Sequence, residues 1–188
     1  EERTYLCIDL KSFYASVECA DRGLDPFTTN LVVADPTRSA NTICLAITPA
    51  LKAQGVKNRC RLGDIPDGIE FTCAMPRMSR YMEVSANIVG AYQRFVSADD
   101  MHVYSIDESF IDATPYLKLY DMDAKSFARM LMNAAFECAG VTATAGIGPN
   151  LFMAKVALDV CAKHAPDGIG VLDDDSWKRE IWFHRPIT

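Results

Sequence analysis

The sequence has no run of 18 residues free of charged or polar breaks, so no membrane-spanning helix is expected. No basic leader followed by an apolar stretch opens it, which speaks against a secretory signal. Glycine and proline are scarce, 10 and 9 among 188 residues, and this excludes collagen-like and low-complexity chains. Its cysteines, at 7, 19, 44, 60, 73, 138 and 161, are odd in number and form no CxxC pair. A secreted disulfide framework is thereby excluded, and reduced thiols in a cytoplasmic protein are expected. Cys161 and His164 lie one helical turn apart, but with no other Cys or His near them a small buried thiol is a better reading than zinc. Gly146 and Gly148 lack the third glycine and the early position of a dinucleotide fingerprint. An excess of basic charge is also missing. Lys and Arg number 19 against 25 Asp and Glu, for a net charge of −6, which argues against tight nucleic-acid binding by these residues alone.

What is present is ordinary globular material, 49% hydrophobic and 23% charged, enough for one compact domain or a core with a small insert. Charge is unevenly spread. From Pro36 to Arg80, seven bases face three acids, so a basic segment sits inside an acidic chain. Such a segment beside carboxylates suits a phosphate-bearing ligand.

Thr4–Leu10 reads as a buried strand. Ser12 is expected to cap a helix running to Ala20. Asn30–Ala34, Thr42–Ile47 and Ile69–Cys73 read as strands, with Thr48 capping a short helix that has Pro49 at its first position and Gly55 at its end. The spacing of Tyr81, Val84, Ile88, Ala91 and Phe95 predicts an amphipathic helix over Ser79–Ser97. Met101–Ser105 and Ser109–Ala113 form a predicted hairpin. Phe127, Leu131, Ala134 and Cys138 mark a helix over Asp123–Ala139. Val141–Ile147 is an expected strand of alternating character. Asn150–Lys163 reads as a third helix and Gly168–Leu172 as a last strand. With 23–78 set aside, the order β, α, α, β, β, α, β, α, β predicts an α+β fold, a mixed or antiparallel sheet backed by helices, and not a doubly wound one.

Three carboxylates stand where burial is expensive. Asp9 ends an apolar strand, and Asp107 and Glu108 lie inside an apolar hairpin. An unpaired buried carboxylate costs several kcal/mol, so acids in such places usually face a counter-ion. Three converging acids would repel one another and protonate unless a divalent cation offsets them. Oxygen ligands without nearby Cys or His favour Mg²⁺ or Mn²⁺. Neighbours in a regular strand point to opposite faces, so Asp107 and Glu108 share a site only if the hairpin bends there. The spacing also allows a plain polar hairpin turn, with Asp9 capping the helix after Ser12.

At these residues the chain resembles the Y-family (translesion) DNA polymerases, and most of all their bacterial UmuC-type branch. Three blocks carry the likeness: Ile8-Asp9-Leu10-Lys11-Ser12-Phe13-Tyr14-Ala15-Ser16-Val17-Glu18, then Tyr104-Ser105-Ile106-Asp107-Glu108-Ser109-Phe110-Ile111-Asp112, then Gly146-Ile147-Gly148-Pro149-Asn150 through Ala154-Lys155-Val156-Ala157. The resemblance implies a ferredoxin-like palm at 1–22 and 79–172, a fingers insert at 23–78, and at 173–188 the start of a truncated thumb. It implies Asp9, Asp107 and Glu108 as catalytic metal ligands, with the Leu10 carbonyl completing the shell around two Mg²⁺ ions that Mn²⁺ can replace. Tyr14 matches the steric gate, whose ring would clash with a 2′-OH. Phe13, beside it, is counted among the nucleotide-binding positions and is the better candidate of the two for core packing. Lys52 and Lys155 match residues that reach the nucleotide phosphates.

The expected activity is low-fidelity, template-directed DNA synthesis on primer–template DNA and dNTP, in the cytoplasm and within the SOS response. A sliding clamp and SOS accessory proteins are expected partners through absent C-terminal parts, and a membrane is not. Where many members carry a Tyr and an Arg three apart on the fingers helix, this chain has Pro49 and Lys52, so Arg38 or Arg59 is left to strengthen the triphosphate grip. Two other readings are a nucleotidyl-cyclase-like palm enzyme, against which Tyr14 and the insert speak, and an inert polymerase-like scaffold, against which the three acids speak.

Overall fold

The computed structural model describes residues 3–182. It is an α+β structure whose Cα positions fall into two compact units. One takes in the chain up to Asp9, Gly90–Ala134 and the chain from Ala143 onward; the other is Leu10–Val89 with Ala135–Thr142. Among the described residues no helix is long and apolar enough to cross a membrane, and all seven cysteines are free.

The first unit is built on a five-stranded sheet. Strand β1 (Tyr5–Leu10) is flanked by β6 (Glu108–Asp112) and β7 (Ala143–Gly148), with β5 (Met101–Val103) and β8 (Ile169–Val171) at the edges. β1 and β6 run antiparallel, in register from Tyr5 opposite Asp112 to Asp9 opposite Glu108. β5 and β6 form the predicted hairpin, and β7 and β8 are parallel. All six residues of β7 are buried, so its composition reflects a covered strand and not the expected alternation.

The β7–β8 crossover is helix α6 (Leu151–Val156), which widens into π-helical turns over Ala157–Ala162. Asn150 caps it, its Oδ1 accepting from the Met153 N–H at 2.9 Å. This helix lies on the sheet at backbone distance because three strand positions are glycine. A Cβ on Gly146 would strike the Ala154 carbonyl and the Leu158 amide, one on Gly148 would come within 2.6 Å of the Ala154 nitrogen, and one on Gly170 within 2.6 Å of the Ala162 nitrogen. Beneath it Cys7, Phe110, Ala154, Leu158 and Ala162 form one apolar cluster. A short helix, α4 (Thr114–Leu119), follows β6 where the sequence offered no clear period.

The second unit holds a three-stranded sheet, β3 (Ala46–Ile47), β2 (Leu31–Val33) and β4 (Thr72–Ala74), in that order. It packs on α1 (Phe13–Ala20) and encloses Val32, Ala34, Cys44, Ile47, Leu51, Val56 and Ile65. This sheet lies wholly within residues 23–78. The long predicted strand Thr42–Ile47 is paired in β3 and in a single bridge, Ile43 opposite Arg61. Thr48 precedes α2 (Pro49–Ala53) but does not cap it with its side chain. Its hydroxyl instead accepts from the Leu31 N–H at 3.1 Å, tying the helix start to β2. Ser12 does not cap α1 with its side chain either; it sits at φ 49° and its hydroxyl receives Lys52.

Helix α3 (Met78–Tyr92) is shorter than the apolar spacing predicts, and Phe95 lies beyond its end, half-buried; Tyr81, Val84, Ile88 and Ala91 are buried as expected. In α5 (Ala124–Ala139), Phe127, Leu131 and Ala134 are buried and Cys138 is exposed. After Leu172, Asp174–Ser176 and the wider turn Trp177–Ile181 are helical. The rest of the stretch expected to open a thumb, 183–188, lies outside the described residues.

Candidate functional site

The register of β1 and β6 sets Asp9 directly across from Glu108. Directly opposed residues of antiparallel strands have Cβ atoms about 5 Å apart. Asp107 belongs to neither strand. Residues 105–107 bend, with the Tyr104 and Ser105 N–H groups both donating to the Glu108 carbonyl at 3.0 and 3.1 Å. The Ser105 hydroxyl donates to Asp107 Oδ1 at 2.8 Å and accepts from the Glu108 N–H at 3.1 Å. Asp107 therefore escapes the strict alternation that would send it away from its neighbour, and the condition that the sequence imposes on sharing a site is met.

The electrostatics register the crowding. Burial, then the charges of Asp107 and Glu108, push the Asp9 carboxyl from its ordinary value up to about 7, against the opposing charge of Lys155. Lys155, from α6, donates to Glu108 Oε1 and also reaches Asp159 Oδ1 at 3.3 Å. Burial works against its ammonium, but Glu108 and Asp159 outweigh burial and hold Lys155 protonated above its usual range. Cys7, two residues before Asp9 and fully buried, has its thiol pushed up to about 12, mainly by burial, so it is an inert core group.

The structure thus brings Asp9, Asp107, Glu108 and Lys155 into one electrostatic cluster. Asp159 is a member that sequence reasoning missed; its four-residue spacing from Lys155 was the available signal. Among the described residues no group of three His, Cys, Asp or Glu is preassembled to hold a metal ion. Glu108 is turned to Lys155 and Asp107 to Ser105. The donor types still suit a hard dication: the acids of the cluster offer carboxylate oxygens, burial and then Asp107 and Glu108 push Asp9 up to about 7, and a side-chain cation already stands against Glu108.

The remaining predicted positions belong to the second unit. Leu10, the residue after Asp9, is buried. Phe13 is 3% exposed and serves the core. Tyr14 is half-buried, its ring 5.8 Å from that of Phe13 and stacked on Tyr81 at 4.5 Å with 17° between planes. Lys52 donates to the Ser12 hydroxyl at 2.9 Å. Arg38 pairs with Asp35 at 3.3 Å beside a cleft of about 350 Å³ walled by Ile43, Leu45 and Met75. Arg59 is exposed in a turn at φ 58°. Also missed was Glu18, a fully buried carboxylate on α1, with Arg77 and Tyr81 as its partners.

The model of the impB/mucB/samB family matches residues 8–159. The putative UV-damage repair protein UvrX of Bacillus subtilis (strain 168) is 35% identical over 187 residues, covering 99% of this chain and 44% of that protein. DNA polymerase IV 2 of the same organism is 35% identical over 186 residues, 97% of this chain and 43% of the relative. The chain therefore spans less than half the length of these relatives. Among solved structures, an insertion ternary complex of Dbh DNA polymerase superposes with a TM-score of 0.75 at 21% identity, over 94% of this chain and 50% of that one. DinB from Sulfolobus solfataricus gives 0.71 at 23% identity, with the same coverage. A family model over most of the chain and relatives along nearly its whole length converge: the chain belongs to the impB/mucB/samB family.

Proposed function

We propose that this chain is the catalytic palm and fingers of a low-fidelity, template-directed DNA polymerase that joins dNTPs to a primer 3′-OH. The palm is assigned to 1–22 and 79–172 and the fingers to 23–78. The single observation that carries the reading is the acid cluster across β1 and β6 with Lys155 standing in it. Asp9, Asp107 and Glu108, with the Leu10 carbonyl, would hold Mg²⁺, and Mn²⁺ in its place. Bound there, such ions supply positive charge that offsets the triphosphate and eases loss of the primer hydroxyl proton.

The protein's own groups do the rest. Asp9, half-ionised near neutrality, gives up its proton as positive charge arrives. Lys155 leaves Glu108 and turns its ammonium to the nucleotide phosphates. Lys52 adds a point charge, without the two-pronged grip of an arginine. The Tyr14 ring excludes a 2′-OH and so selects deoxyribose. Binding of the DNA duplex, a sliding clamp and SOS accessory proteins is assigned to the part of the relatives that this chain does not span, which fits its net charge of −6.

The test is thermal denaturation with Mn²⁺ and dATP. Wild type should melt several degrees higher in their presence, and Asp107→Ala should lose that gain. An equal gain in the variant refutes the metal assignment.

A further inference from the structure

Glu18 is 0% exposed on α1, and its carboxylate accepts hydrogen bonds from three side chains. Arg77 grips it with a fork, Nε to Oε1 at 2.8 Å and Nη2 to Oε2 at 3.0 Å. Arg22 donates to Oε2 from one turn on. Tyr81, itself fully buried, donates its hydroxyl to Oε1 at 2.7 Å. Asp21 steadies the outer side, accepting from Arg77 at 2.7 Å and from Arg80 at 2.8 Å. The other end of this assembly is aromatic, since the Tyr81 ring carries the Tyr14 ring.

A buried ion pair is a poor device for stability alone, because apolar residues of the same volume usually serve as well or better. What it supplies is direction. An apolar neighbour would let the Tyr81 ring slide or tilt. A hydrogen bond from its hydroxyl to a carboxylate clamped by a two-pronged arginine pins the far edge of the ring. Tyr14, four residues before Glu18 on the same helix face, is then held from both sides, by its own backbone and by the ring beneath it. We propose that Glu18 is a positioning residue for sugar selection, fixing Tyr81 and, through the stack, the height of the Tyr14 ring. The proposal rests on the reading of Tyr14 as the group that excludes ribose. Telling hydrogen from hydroxyl at one sugar carbon requires the ring to be placed within a fraction of an ångström, and misplacement of about 1 Å changes rates by up to ~100-fold.

The experiment compares binding of dATP and ATP, each with Mn²⁺, to the chain and three variants by titration calorimetry. Tyr14→Ala should bring the two affinities together. Tyr81→Phe keeps the ring and removes only the bond to Glu18; Glu18→Gln keeps the shape and removes the charge. Both should lower the dATP-to-ATP affinity ratio, by roughly tenfold. A merely structural role would lower the melting temperature and leave the ratio alone, and that result in Tyr81→Phe overturns the proposal even if Glu18→Gln fails to fold. If Tyr14→Ala keeps the wild-type ratio, or wild type binds neither nucleotide, the reading of Tyr14 falls and the proposal falls with it. A collapsed ratio in Tyr14→Ala beside unchanged ratios in the other two overturns the role of Glu18 alone.

Discussion

Lys155 donates a hydrogen bond to Glu108, so a cation already stands among the carboxylates before any metal ion arrives. Charge in the cluster is therefore exchanged, not simply added. On the proposed metal-binding reading, a dication would gain Glu108 only as the ammonium leaves it.

This makes two effects of one substitution opposite in sign. Lys155→Met should bind Mn²⁺ alone more tightly, because its competitor for Glu108 is gone. It should bind dATP with Mn²⁺ less tightly, by about tenfold, because a charge-assisted contact to phosphate contributes on the order of 1.5 kcal/mol. Manganese electron paramagnetic resonance, with and without dATP, reads both. A loss of affinity in both titrations would mean that Lys155 only braces the sheet.

The Asp9 carboxyl imposes a pH dependence. Its folded value of about 7 lies above the ordinary carboxylate value of 3.8. Without metal, the unfolded chain gives up this proton first, so stability falls as pH rises from about 4 to about 7 and levels off above. With Mn²⁺ the sign reverses. Binding expels the proton, so affinity climbs towards pH 7 and then flattens. Asp9→Asn should flatten the metal-free melting curve between pH 5 and 8 and raise it at pH 8 by on the order of 5 °C. A wild-type melting temperature indifferent to pH over that range would show Asp9 ionised throughout.

Gly146 tests the seam between strand and helix. In Gly146→Ala the new methyl meets backbone atoms of Ala154 and Leu158, which no rotamer can move. Overpacking of this kind costs about 1–3 kcal/mol or more. The melting temperature should drop by about 5 °C or more. Lys155, carried on the displaced helix, should lose its grip on Glu108. A variant as stable as wild type would mean that the helix rides higher on the sheet.

Much of this is legible in the sequence. The α+β order follows from the periods at Tyr81–Ala91 and Phe127–Ala134 and from the apolar strand that ends in Asp9, because those patterns encode burial directly. Cap chemistry was less legible. Ser12 and Thr48 occupy capping positions, yet their hydroxyls serve Lys52 and the Leu31 amide, and nothing local foretells such long-range partners. The acids stood out because their surroundings are apolar. Asp159 and Glu18 did not, because each sits on a helix where an acid looks like solvated surface. Arg77 joins Glu18 only through folding, whereas the four-residue spacing of Asp159 from Lys155 was a local signal.

The glycine-lined seam also sets how the gene can be edited. With Gly146, Gly148 and Gly170 touching the backbone of the crossover, the span from Pro149 to Ala162 has neither slack to absorb an inserted residue nor surplus to lose one. The corner around Leu119–Asp121, exposed at Leu119 and turned at φ 51°, is a far safer place for a label or a spliced tag.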